Sequence, residues 1–175
     1  MADEIDSSQV MTRELAAIDR GDERYGVLLI EVREIGRIAG AHGFRRAEDL
    51  FAHIAGGVKG ILQQSDRLWP VSRDQLGVLM QQGSVSRMEA LARDVSSLFR
   101  TPVSVEEDQY KLSPRIGVSM ARSRYHSAEQ LLVDAEFAAH RAQGMSKPAP
   151  QIFSTSFLEE RIEELSGHHH QEEEE

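Results

Sequence analysis

The stretch Tyr25 to Val32 reads YGVLLIEV and is nearly all apolar. A run this short falls far below the roughly 20 apolar residues that a membrane span requires. Its aliphatic content and length suit a β-strand covered on both faces. Such a strand belongs in the middle of a sheet, with paired strands on both sides and helices above and below. The rest of the chain has to supply those partners.

Apolar periodicity supplies the helices. From Phe44 onward, Ala47, Leu50, Phe51, Ile54, Ala55, Val58, Ile61 and Leu62 recur at three-and-four spacing, the mark of one helix face. Gly56 and Gly57 weaken that helix by up to about 1 kcal/mol each relative to alanine, without breaking the pattern. Val85, Met88, Leu91, Ala92, Val95, Leu98 and Phe99 mark a second helix, closed off by Pro102. Ala128, Leu131, Leu132, Ala135, Ala138, Ala139 and Ala142 mark a third, with Ser127 and Gln130 at capping-box spacing.

Strand signals fall between these helices. Arg67 to Val71 and Gln75 to Met80 are separated by only Ser72, Arg73 and Asp74, which is hairpin spacing. Val103 to Val105 and Arg115 to Ala121 form a further strand pair, with EEDQ between them as a polar turn. Pro148 and Pro150 end the regular domain and leave room for a last short strand at Gln151 to Phe153. This order predicts an α/β fold whose central, mainly antiparallel sheet is flanked by helices.

The expected organisation is an N-terminal linker helix over residues 1–22, the domain at 23–153, a C-terminal linker helix at 154–166 and a disordered tail or tag remnant at 167–175. Met11, Leu15 and Ile18 form the apolar stripe of the first linker, and Leu158, Ile162 and Leu165 that of the second. The tail, GHHHQEEEE, holds His168, His169 and His170, which as a run in such a segment read as a tag or linker.

Composition narrows the function. With 175 residues, 40% hydrophobic and 28% charged, the chain has the balance of one globular domain. A net charge of −9, four units of it from Glu172 to Glu175, argues against nucleic acid as a partner. Having no cysteine excludes disulfides, thiolate metal sites and cysteine nucleophiles. The opening MADEIDSSQV shows no secretion signal, so a cytoplasmic protein without a membrane partner is expected.

Five segments carry a further signal by their order and spacing: LLIEV, Ala41-His42-Gly43, QQSDRLWPVSRDQLGVLM, RIGVSMA and AEQLLVDAEFAAHRAQ. Together they resemble the GGDEF family of bacterial diguanylate cyclase domains, over roughly residues 23 to 153. The resemblance implies a nucleotidyl cyclase-like fold with a ferredoxin-like core. It also implies a signature turn, in which two glycines let the backbone approach phosphates and two acids help to hold divalent metal.

Here that turn reads Ser72-Arg73-Asp74-Gln75-Leu76. Both glycines are replaced, and the second acid is the neutral Gln75. The resemblance puts the remaining metal acids at Glu31 and Asp74, with the Val32 carbonyl beside them, as candidates for weakly held Mg2+. The bland alternative is two solvated carboxylates at a sheet edge. The guanine-reading asparagine falls on Ala39, its partner acid is kept as Glu48, and the two phosphate-binding lysines fall on Gly36 and Gln143. Lys147 stands near the family's late arginine. The inhibitory R-x-x-D motif becomes Gln63-Gln64-Ser65-Asp66, which leaves only its aspartate as a remnant.

The expectation is therefore a degenerate GGDEF domain with no catalytic residue in place and no resident cofactor. It would act as a regulatory, dimerisation or protein-interaction module in cyclic-di-GMP signalling. Its partners would be another protein, an attached EAL or sensor domain, or a second copy. The alternatives are a sensor that binds GTP without turnover, or a residual cyclase. Trp69 with Pro70 reads as packing or a partner surface, and His42, His53, His126 and His140 as surface or packing residues.

Overall fold

The computed structural model describes residues 25–81, 84–120, 128–141 and 151–152. The expected linker helices, the histidine tail, His126, Ser127, Gln143 and Lys147 lie outside the described residues. In chain order the elements are β1 (Gly26–Glu31), α1 (Glu34–His42), α2 (Phe44–Ile61), β2 (Arg67–Pro70), β3 (Gln75–Met80) and α3 (Val85–Ser97). They continue with β4 (Val103–Val105), β5 (Asp108–Tyr110), β6 (Arg115–Met120), α4 (Ala128–Arg141) and β7 (Gln151–Ile152).

The apolar run behaves as its composition demands. β1 is buried along its whole length and occupies the middle of a five-stranded sheet of order β2-β3-β1-β6-β7. It pairs antiparallel with β3 and β6, while β6 and β7 pair in parallel across the α4 crossover. Alternate side chains of β1 enter two different cores. Leu28 and Ile30 join Ile35, Leu50, Ile54, Met88 and Val95 from α1, α2 and α3. Val27 and Leu29 join Trp69, Leu79, Leu131 and Ala135 on the α4 face.

Two glycines set layer distances. A Cβ at Gly77 would stand 2.5 Å from the Trp69 indole, so the bare backbone is what lets Trp69 lie flat on the hairpin and become buried. Packing is thus the role of Trp69, while Pro70 is exposed. At Gly117 a Cβ would run into the Ala135 carbonyl and the Ala139 backbone. There α4 presents Ala135, Ala138 and Ala139, all fully buried, and sits tightly on β6. The buried Ser119 hydroxyl donates to the Leu131 carbonyl across the same seam.

One expectation needs correction. The segment EEDQ is not a turn joining β4 to β6. Its last two residues open β5, and β4 and β5 form a separate two-stranded sheet. The turn is Glu106-Glu107 alone, with Glu106 at φ 55. A positive φ in a two-residue turn suits the twist of a hairpin, but glutamate at that position carries none of the usual Asn-Gly signal. Arg46 of α2 holds this hairpin, with ion pairs of 2.8 Å to Glu106 and 3.3 Å to Asp108. The Glu106 hydrogen bond raises the Arg46 pKa above its ordinary value.

Candidate nucleotide pocket

The site is built where β1, the β2–β3 turn and the α1–α2 corner meet. Register pairs Glu31 with Gln75, so residues 72–74 project past the end of β1. The Val32 amide donates to the Asp74 carbonyl at 2.8 Å and ties the turn to that end. Between α1 and α2 the chain bends at Gly43, whose φ of 90 is a backbone state that side chains rarely tolerate. The bend aims the first turns of α2 back toward the hairpin.

A pocket of about 590 Å³ lies between the two helices and the turn. Ile35, Gly36 and Ala39 of α1 form one wall, and Phe44, Glu48 and Phe51 of α2 another. Ser72, Arg73 and Asp74 close the third side. The turn is held by its own groups. The Val71 and Ser72 amides donate to the Gln75 carbonyl at 2.9 and 3.3 Å. The Ser72 hydroxyl donates to the Asp74 carboxylate at 2.9 Å, and the Arg73 guanidinium lies 5.6 Å from the centre of the Phe44 ring.

The structure brings together several residues singled out from the sequence. Glu48, Asp74, Ser72 and Arg73 all line this pocket, and so do Ala39 and Gly36. Gln75 and Leu76 begin β3, with Leu76 buried.

Glu31 sits apart from the pocket lining. It is not a solvated carboxylate at a sheet edge, because β1 is central and Glu31 is only 7% exposed. Arg33 approaches one of its oxygens at 3.4 Å, and Arg115 is its cross-strand neighbour on β6. The other oxygen, Oε2, is buried and has no hydrogen-bond partner.

That bare oxygen invites a cation, but the surroundings fit Mg2+ poorly. Magnesium prefers near-octahedral oxygen ligands, usually with carboxylates. Glu31 is already approached by a guanidinium, Gln75 is neutral, and Asp74 accepts from Ser72. Among the described residues no three His, Cys, Asp or Glu side chains gather into a metal-holding group.

Asp66 lies at the start of β2, outside the pocket lining. It accepts from the Gln63 amide at 2.9 Å and pairs with Arg87 of α3. His42, His53 and His140 are exposed. Sequence reasoning missed Phe44 as a pocket wall, although an aromatic immediately after a glycine and off the buried helix face was the available signal. It also missed Arg87, which sits 21 residues from Asp66 and has no local cue.

Among the described residues no helix is long and apolar enough to cross a membrane. No curated protein sequence matches the chain. Solved structures share its fold at low identity. An EAL/GGDEF domain protein from M. capsulatus is 19% identical, with a TM-score of 0.75 over 88% of this chain and 99% of that one. The GGDEF domain of YfiN or TpbB from Pseudomonas aeruginosa is 20% identical, with a TM-score of 0.72 over 83% of this chain and 92% of that one. The diguanylate cyclase SiaD of Pseudomonas aeruginosa, in complex with its activator SiaC, is 14% identical, with a TM-score of 0.73 over 82% of this chain and 57% of that one. The sequence profile described as "Diguanylate cyclase, GGDEF domain" matches residues 7–147, well over half of the chain. The chain belongs to the GGDEF family.

Proposed function

We propose that this GGDEF domain does not make cyclic-di-GMP and acts as a regulatory and protein-interaction module in cyclic-di-GMP signalling. The observation that carries this reading is the turn itself. Where the family's glycines would leave open backbone for phosphates, Arg73 lies over the Phe44 ring and Ser72 bonds to Asp74. Phosphoryl transfer rests on positioning and on neutralising charge. The charged side chains lining the pocket are Glu48 and Asp74 against Arg73 alone, an acidic balance that repels a triphosphate. Gly36 and Ala39 sit on the wall where the family's lysine and asparagine are expected, and neither has a polar side-chain group to offer.

The module works through contacts with a protein partner, an attached EAL or sensor domain, or a second copy, and it resides in the cytoplasm. The M. capsulatus protein combines EAL and GGDEF domains, and SiaD is held by an activator protein, which supports this kind of use. Any Mg2+ is held weakly. A second reading, nucleotide binding without turnover, is favoured by the persistence of a 590 Å³ pocket.

Incubation of the purified chain with GTP and Mg2+ or Mn2+ tests the proposal. No cyclic-di-GMP should form above a metal-only blank. Product well above that blank, abolished by Glu31→Ala, overturns it.

A further inference from the structure

We infer that Arg115 serves Glu31 as a built-in counter-ion, so that a guanidinium of this chain stands where a divalent metal would otherwise neutralise the strand-end acid. The inference deepens the non-catalytic reading and rests on it. Its basis is one row of side chains across three strands.

Register places Gln75 of β3 and Arg115 of β6 directly opposite Glu31 of β1, one on each side. Directly opposed residues share a face of the sheet, with Cβ atoms about 5 Å apart. Two residues back along β1, the row on the same face is Gly77, Leu29 and Gly117, on which Trp69 and the α4 backbone sit. The Glu31 row is the next one out from that cover, and it carries an amide, a carboxylate and a guanidinium.

Two buried atoms in this row lack partners. Oε2 of Glu31 is an acceptor with no donor, and Nη1 of Arg115 is a donor with no acceptor. A buried charge is kept only when it is paired, and these two are opposite in sign on adjacent strands. They pair directly or through one water. With Arg33 at 3.4 Å from Oε1, a single carboxylate faces two guanidinium groups. A dication entering the row therefore meets net positive charge and a neutral amide. Glu34, whose Oε2 is also without a partner, begins α1 and is held by the Ser113 amide at 2.8 Å, so it adds no second acid to the row.

Thermal unfolding with and without about 10 mM Mg2+ tests this, alongside the cyclase assay on the same preparation. The parent midpoint should not move. Arg115→Met deprives Glu31 of its counter-ion, so Mg2+ should raise the midpoint of that variant by at least about 2 °C. Adding Glu31→Gln to Arg115→Met should remove the rise, and Arg115→Lys, which keeps the charge, should respond as the parent does. A rise in the parent that Glu31→Gln removes overturns the inference, and so does Arg115→Met folding with no response to Mg2+. Should Arg115→Met not fold, recovery of folding on adding Glu31→Gln supports the pairing, and continued failure overturns it. Cyclic-di-GMP formation by the parent would instead overturn the non-catalytic reading, so the two failures are separable.

Discussion

Nη2 of Arg87 donates to both carboxylate oxygens of Asp66, at 2.8 and 2.9 Å. The same guanidinium reaches the Gln81 carbonyl through Nη1 at 3.1 Å, so one side chain fastens the start of β2, the end of β3 and the start of α3. The Asp66 side chain is 2% exposed and that of Arg87 is 23% exposed. Removing the two partners should therefore have unequal effects. Arg87→Ala strands a buried carboxylate and should cost about 3 kcal/mol, whereas Asp66→Ala frees a guanidinium that can turn to water and should cost less. Urea unfolding of both variants checks the order, and a larger loss for Asp66→Ala refutes it.

The same pair bears on regulation. Because Asp66 is engaged inside the chain and Gln63 stands where the family's inhibitory arginine is expected, added cyclic-di-GMP should not bind at Asp66. Titration of the parent should show no saturable cyclic-di-GMP signal that Asp66→Asn abolishes.

The two close-packed glycines should differ in cost. At Gly77 the obstacle to a Cβ is a side chain, the Trp69 indole, which must leave its packed position but is free of the backbone constraints of a helix. At Gly117 it is the backbone of α4 at Ala135 and Ala139. Gly77→Ala should destabilise by about 1 to 2 kcal/mol and Gly117→Ala by about 3 kcal/mol or more. Thermal unfolding of the two variants gives the comparison, and a loss at Gly117 no larger than that at Gly77 refutes the order.

Restoring the signature turn by itself should not create a cyclase. Ser72→Gly, Arg73→Gly and Gln75→Glu together rebuild the turn but leave Gly36 and Ala39 on the pocket wall. Product formation by the triple variant should stay at the blank. Efficient turnover would show that the turn is the sole defect.

Much of this was legible in the sequence because it depended on periodicity. The unbroken apolar run in β1 is explained by two cores, one taking Leu28 and Ile30 and the other Val27 and Leu29. The bounds of β3 and β4 matched for the same reason. β5 escaped because Asp108, Gln109 and Tyr110 carry no apolar alternation, and only pairing with β4 makes them a strand. In the site, Gly36 and Ala39, both singled out through the resemblance, stand on one wall because they lie on the same helix. The Arg73–Phe44 and Arg87–Asp66 contacts join separate elements, so no local pattern announces either. The burial of Glu31 was misjudged because a strand-ending acid reads as exposed until the sheet shows strands on both sides.

The seam between β6 and α4 has a mechanical meaning. A helix whose backbone rests on a glycine of the strand beneath it has no side-chain cushion to compress or slide over. Force applied along α4 is passed to β6 with little slack, and from β6 to β1 through their shared hydrogen bonds. A tug on this helix would travel to the strand end at Glu31 as the movement of one stiff plate.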